Sequence, residues 1–366
     1  MTSQAMILTK RLGILATDRQ QTMADGKTYG GIEKIFEISQ MHSSAIMING
    51  NADFENVPIE TLIREFRFKT DFTQIKTIEE IKTKFINYVS ENTDSTTTDE
   101  FVEKSLKTFK QELIFDISEN GFENVVNERQ KRKIFPFVKK YSNYSDEFKD
   151  IIPDNFDKKS YTKLLWQIFS FELQYGATGI VIAGFNLESH YPSFFEIDLY
   201  CNDNGKIMFE VVDSAIDSKE PIIKVFAINE EAYAFITGVN DEFIEFIVKY
   251  ISKANNSILE DLKFFIEANN FENGIYEFMK NEIDNEYGEI NHDIMNFRFN
   301  ALDYTANSIE NLPNWLLSIF AELLIRLTAV KQKTSSEIES VSIESDILII
   351  SKTDFFKWVK NYEEIF

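Results

Sequence analysis

The chain contains 366 residues, of which 43% are apolar, enough for about two domains with sizeable cores. With 60 acidic side chains against 38 basic ones, its formal charge is −22, which predicts repulsion from polyphosphate and excludes nucleic acid as an expected partner. The single Cys201 excludes an internal disulfide, and a Cys/His cluster for structural zinc is lacking. No apolar run approaches the about 20 residues that cross a bilayer, and no signal peptide is apparent, so we expect a cytoplasmic protein with no membrane partner.

The first 50 residues predict strands. Four apolar runs occur, at residues 5–9, 12–16, 34–39 and 45–48. A short polar segment separates the first from the second and the third from the fourth, a pattern typical of hairpins. From Val57 the apolar residues recur at intervals of three and four, which predicts amphipathic helices up to Tyr88.

The middle of the chain begins with a polar, acidic linker at residues 90–100. Helical spacing follows at 102–113 and 161–173, and the basic run 129–133 between them is interpreted as a solvated face. Strands are predicted again at 178–185, 194–200 and 207–212. Asn204-Gly205, between the last two, favours a hairpin turn because both residues tolerate positive φ.

The last third of the chain is mainly helical in pattern. Two apolar runs, 222–227 and 232–237, predict further strands, and a helix opens at Asn240. Helical spacing continues through 253–315 and a long apolar helix follows from Trp315. One more strand at 347–351 precedes a short tail.

Several common mechanisms find no support. The sequence has no Gly-rich phosphate loop, no HExxH and no GxSxG. His42, His190 and His292 lack metal-ligand spacing and are interpreted as surface or turn residues. The acidic stretch Glu282 to Glu289 lacks the central glycine and alternating ligands of a calcium loop, so we interpret it as a solvated helix face. We therefore expect neither a metal nor an organic cofactor.

The N-terminus offers a nucleophile. Thr2 follows Met1, and a residue that small normally permits removal of the initiator methionine. A terminal threonine places a hydroxyl beside an α-amine of pKa about 8, which can act as its base. A nearby cation is then needed to keep the amine neutral and to stabilise the alkoxide. Lys34 could supply it, oriented by Asp18.

These residues resemble the start of a proteasome β-type subunit, a family of N-terminal-nucleophile hydrolases. The resemblance is carried by Thr2, by residues 17–23 (TDRQQTM), by 34–38 (KIFEI) and by 48–53 (INGNAD). Asp18 lies 16 positions after Thr2, and Lys34 lies 16 after Asp18, which matches the family without a gap. Similar segments return further on, at 179–185 with Asn204-Gly205, at 321–332 and at 345–351. The whole resemblance covers about 200 residues in three blocks.

The resemblance implies an α+β fold, the four-layer αββα sandwich of this family. The core would comprise residues 2–92, 174–252 and 316–356, with two mainly helical insertions at 93–173 and 253–315. Family members assemble into rings or related oligomers, which implies a homo-oligomer. The two insertions could block ring stacking, gate the site, or bind a partner such as an unfoldase ATPase.

The same resemblance assigns a catalytic set. Thr2 would attack a peptide carbonyl of a peptide or protein substrate and form an acyl-enzyme. Lys34 would activate the Thr2 nucleophile electrostatically, and Asp18 would pair with Lys34. The Gly50 N–H would donate a hydrogen bond to the oxyanion. Gln21 and Ala52 fall where the family lines its first specificity pocket.

The chain also departs from the family pattern. The hydroxyl that supports the terminal amine falls at Val239, and Thr334 stands where the family has an aspartate. Ser335, Ser336 and Ser340 are the candidate substitutes. The departures leave open a catalytically inactive assembly or binding subunit of the same fold, and an amidase that acts on a small molecule.

Overall fold

The computed structural model describes residues 2–22, 27–96, 98–122, 125–126, 148–175, 177–268, 273–335 and 339–360. Met1, the basic run 129–133 and Ser336 lie outside the described residues. The fold is α+β, with antiparallel sheets and helices. The chain forms two compact units: the first unit combines Met1–Glu33 with Ser218–Phe366, and the second unit is Lys34–Asp217.

The strands of the described residues are β1 (Ser3–Leu8), β2 (Leu12–Asp18), β3 (Gln21–Thr22), β4 (Thr28–Tyr29), β5 (Ile35–Ser39), β6 (Ser44–Gly50), β7 (Asp53–Phe54), β8 (Val57–Pro58), β9 (Thr178–Phe185), β10 (Pro192–Asp203), β11 (Lys206–Ala215), β12 (Ile222–Ala227), β13 (Ser345–Ser351) and β14 (Phe355–Lys360). The helices include α1 (Ile59–Lys69), α2 (Ile78–Glu91), α3 (Thr98–Asn120), α4 (Lys158–Tyr175), α5 (Glu230–Thr237), α6 (Asp241–Ala268), α7 (Asn273–Ile309) and α8 (Asn314–Thr334).

The first unit is built on a five-stranded antiparallel sheet in the order β12-β1-β2-β13-β14. The predicted hairpin of β1 and β2 is confirmed, and its turn is closed by the Thr9 N–H, which donates to the Leu12 carbonyl at 2.9 Å. Side chains alternate along a strand, so Ala5, Ile7 and Ile14 share one face. On that face they form a core with apolar residues of α5, α7 and α8.

The second unit carries another five-stranded antiparallel sheet, in the order β11-β10-β9-β6-β5. Helices α1 and α2 cover one of its faces, and a separate apolar cluster joins α3 to α4. The predicted turn at Asn204-Gly205 is confirmed, since both residues have positive φ and Asp203 pairs with Lys206 across it.

Two elements differ from the sequence predictions. The run 232–237 lies in helix α5 rather than in a strand: Ala232 and Ile236, four residues apart, are both buried, and Gly238 ends the helix at a φ of 74°. The tail after β13 contains strand β14. Helix α6 continues across residue 252, the predicted boundary between the core and its second insertion. Those domain boundaries stay a prediction.

Among the helices of the described residues, none combines the length and the apolar character that crossing a membrane requires.

Candidate functional site

Thr2 lies directly before β1, the second of the five strands in the first unit's sheet. Its side chain is buried, and its carbonyl accepts a hydrogen bond from the Ile228 N–H at 3.0 Å. The next residue, Ser3, begins β1 opposite Ala227 of β12. Strand pairing therefore fixes the backbone around Thr2 on the β12 side.

Asp18 ends β2 and fixes the same segment from the other side. Its carboxylate is completely buried and accepts three backbone N–H bonds. Oδ1 accepts from Ser3 at 3.0 Å, while Oδ2 accepts from Gln20 at 2.9 Å and from Ser342 at 3.3 Å. Bonds to a carboxylate are charge-assisted and strong, so Asp18 holds the backbone directly after Thr2 in place.

A buried ion pair lies beside Asp18. The Arg19 guanidinium contacts Asp346 of β13, with Nη1 2.9 Å from Oδ1, and both side chains are buried. Arg19 also donates from Nη2 to the Gly31 carbonyl at 3.3 Å, and its own carbonyl accepts from the Ile32 N–H at 3.1 Å. These contacts anchor the segment that ends at Glu33, the residue before Lys34. Sequence reasoning assigned no role to Arg19 or Asp346.

Ser342, in the loop between α8 and β13, joins these two groups. Its N–H donates to Asp18, and its hydroxyl accepts from the Arg19 N–H at 3.1 Å. Sequence reasoning did not identify Ser342 as a supporting hydroxyl. The signal that could have identified it is its position in a short polar segment directly before the last predicted strand.

Ser340, one of the candidate substitutes, and Thr334, which stands where the family has an aspartate, both have other partners. Ser340 is buried, and its hydroxyl lies 3.0 Å from Nε2 of Gln332, whose Oε1 accepts from the Ser340 and Val341 N–H groups. The Thr334 hydroxyl donates to the Val330 carbonyl at 2.9 Å, inside helix α8. These contacts stabilise the end of α8 and its loop.

The position of Val239 also has a hydroxyl close by. Thr237 is buried at the end of α5, and its hydroxyl lies 2.8 Å from the Tyr233 carbonyl and 3.1 Å from the Val239 carbonyl. This hydroxyl therefore satisfies carbonyls at a helix end.

Lys34 and Gly50 belong to the second unit and lie at the same end of the β5–β6 pair. Lys34 directly precedes β5, is buried, and accepts at its carbonyl from the Ile48 N–H at 3.0 Å. Gly50 ends β6 at a φ of 71°, and a Cβ built there would lie 2.3 Å from the Ala177 carbonyl oxygen. Only glycine fits both the left-handed backbone and this close approach.

The two predicted pocket residues lie in different units. Gln21 pairs with Tyr29 in the short β3–β4 ribbon of the first unit. Ala52 belongs to the second unit, where its carbonyl accepts from the Ile59 N–H at 2.9 Å. Their role in a pocket stays a prediction.

A second polar group lies on β10 and β11, away from the predicted catalytic residues in sequence. Asp198 pairs with Glu210 across the two strands. Burial raises the pKa of Asp198 to about 7, and the charges of Glu196 and Glu210 contribute in the same direction. Burial also raises the pKa of Tyr200, whose hydroxyl lies 3.3 Å from Glu210.

Two of the three histidines are exposed, and the third is buried in a turn. His190 and His292 are exposed. His42 is buried in the β5–β6 turn, where Nε2 lies 3.1 Å from the Ile75 carbonyl and Nδ1 lies 2.9 Å from the Ser39 hydroxyl. A carbonyl only accepts, so the tautomer with hydrogen on Nε2 satisfies both contacts.

Within the described ranges, no three His, Cys, Asp or Glu side chains are grouped as metal ligands. The chain matches no protein-family model, and no curated protein matches it in sequence. A function therefore has to be inferred from the residues and the contacts described above.

Proposed function

We propose that the protein is an N-terminal-nucleophile amide hydrolase of the proteasome β type, with Thr2 as its nucleophile and a peptide or protein as its substrate. One observation carries the proposal. The buried Asp18 carboxylate accepts a hydrogen bond from the backbone directly after Thr2, at 3.0 Å. A nucleophile has to be held in a fixed position, and this contact fixes the backbone next to Thr2 at the end of β2.

The proposed chemistry is acyl transfer. Thr2 Oγ attacks the substrate carbonyl, and its α-amine takes the hydroxyl proton through a water molecule. The C–N bond then breaks, the amine leaving group receives that proton, and water hydrolyses the resulting ester. Lys34 stabilises the alkoxide, and the Gly50 N–H donates to the oxyanion.

This mechanism requires a free α-amine on Thr2. With Met1 still attached, the amine would be an amide nitrogen and could not act as a base. The N-terminal residue of the purified protein is therefore a direct test of the proposal.

The proposed fold is the four-layer αββα sandwich. Each unit has a five-stranded antiparallel sheet with helices on one face, as that architecture requires. The opposite faces also carry buried apolar residues, Met6 and Leu15 in the first unit and Met47 and Val181 in the second. Buried apolar residues on both faces of a sheet need cover on both faces, as each sheet has in a four-layer sandwich.

Substitution of the nucleophile tests the chemistry. Thr2→Ala removes the hydroxyl and should abolish hydrolysis of a mixed peptide library followed by mass spectrometry. Lys34→Ala should reduce the rate by about 100-fold or more, since the lost group acts on the developing charge. Thr73→Ala, which removes a threonine hydroxyl from an exposed turn, is the matched control. Full activity of the Thr2→Ala variant would refute the proposal.

An inactive assembly subunit of the same fold is the second candidate. It is favoured by the hydroxyls of Ser340 and Thr334, which bind Gln332 and a helix carbonyl. This candidate predicts that neither the wild type nor the Thr2→Ala variant hydrolyses the peptides, and that the substitution leaves the mass of the assembly unchanged. Both candidates include a homo-oligomer, which sedimentation of the wild-type protein tests. An unfoldase ATPase as a partner belongs to the active candidate.

A further inference from the structure

Helix α7 has one face that packs and one that is exposed. Near its C-terminal end, Leu302, Ala306 and Ile309 join the core of the first unit, and the helix also packs against α6. This arrangement holds the helix in place while its outer face stays open over most of its length.

The outer face carries a line of apolar side chains. Met279, Ile290, Phe297 and Tyr304 follow one another at intervals of 11, 7 and 7 residues, which are close to whole turns and keep them on one side of the helix. They are 38%, 38%, 58% and 76% exposed. A single exposed apolar residue is ordinary, but a line of four along about 37 Å of helix is typical of a binding surface.

A row of carboxylates runs beside this line. Glu282, Glu286, Glu289 and Asp293 follow at intervals of four, three and four residues, so they too share one side of the helix. All four are exposed, and none forms an ion pair with another described residue. Neighbouring like charges on a helix repel one another, so the row lowers the stability of the free helix.

We propose that this face of α7, the line of four apolar residues with its acidic row, binds a cationic amphipathic helix of another protein. The partner's apolar side would cover Phe297 and Tyr304, and its Lys or Arg side chains would pair with the carboxylates. A second copy of this chain fits less well, because it would bring the same acids against each other in a protein of charge −22. The inference is independent of the proposed hydrolase activity.

A synthetic peptide provides the test. The probe is a fluorescent helical peptide with Leu and Trp along one side and Lys beside them, and its control has Glu in place of each Lys. Binding to the full-length protein is measured by fluorescence anisotropy at low and high salt. The Lys peptide should bind at least 10-fold more tightly than the Glu peptide, and high salt should reduce the difference.

Paired variants locate the binding surface. Glu286→Gln with Asp293→Asn, and separately Phe297→Ser with Tyr304→Ser, should each weaken binding of the Lys peptide by 10-fold or more. Glu277→Gln on the same helix and Phe264→Ser on α6 are exposed controls and should change it by less than 2-fold. Circular dichroism checks that each variant is folded.

Two results would overturn the inference. The first is equal binding of the Lys peptide to the wild type and to the paired variants, which would mean that the attraction is only to overall negative charge. The second is a halved sedimenting mass for Phe297→Ser with Tyr304→Ser, which would show that this face joins two copies of the chain.

Discussion

Asp198→Asn should stabilise the protein at alkaline pH. Burial and the neighbouring charges of Glu196 and Glu210 raise the pKa of Asp198 from 3.8 to about 7. The folded state therefore holds this proton more tightly than the unfolded chain, and ionising the group costs stability. The stabilisation that the folded state gains from holding this proton is fully present below a pH of about 4 and is lost as the pH rises through about 7.

The magnitude follows from the shift. A pKa that moves from 3.8 to about 7 corresponds to about 4 kcal/mol of lost stability once the carboxyl is ionised. At about pH 8 the wild type bears nearly all of this cost, and at about pH 5 it bears about 2 kcal/mol. Asparagine is uncharged throughout, so the advantage of the variant should shrink by about 2 to 3 kcal/mol between these two conditions.

Urea unfolding at both pH values measures this difference. Comparing the two conditions cancels any fixed difference between an amide and a protonated carboxyl. Asp150→Asn, which changes an exposed aspartate, is the control and should show no such pH dependence. An advantage of Asp198→Asn that stays the same at both pH values would refute the reasoning that Asp198 is ionised at the expense of stability.

Two further predictions concern the candidate site. Asp346→Asn removes the carboxylate that pairs with the buried Arg19 guanidinium and should lower the free energy of unfolding by about 3 to 5 kcal/mol. Glu310→Gln, which breaks the more exposed pair with Lys10, should cost less than about 1 kcal/mol, and equal losses would contradict the account. Gly50→Ala should cost more stability than Gly205→Ala in thermal unfolding, because both glycines have positive φ but only Gly50 lies against a carbonyl oxygen. Similar melting temperatures for these two variants would show that the close approach relaxes without strain.

Much of the strand pattern is visible in the sequence because each strand has local signals. The β1–β2 hairpin follows from two apolar runs around Lys10-Arg11, and the β10–β11 turn follows from Asn204-Gly205. The run 232–237 was misread because six consecutive residues fit a short strand and a short helix equally well. The acidic residues before it and Gly238 after it decide for the helix.

The contacts around Asp18 could not be derived from spacing. Ser342 and Asp346 lie more than 320 positions away from Asp18 and Arg19 in the chain, and no local pattern specifies such a pairing. Their positions depend on β13 pairing with β2, which places Ser345 opposite Asp18. The sequence therefore identifies the Asp18 carboxylate, but its partners become visible only when β13 is paired with β2.

The central claim is that Thr2 is a live N-terminal nucleophile. The most direct measurement is the intact mass of the purified protein before and after treatment with a threonine-directed β-lactone, followed by peptide mapping. The account predicts a mass without Met1 that gains one inhibitor, located on Thr2. A mass that retains Met1, or a free Thr2 that never reacts, would contradict it and favour the inactive subunit.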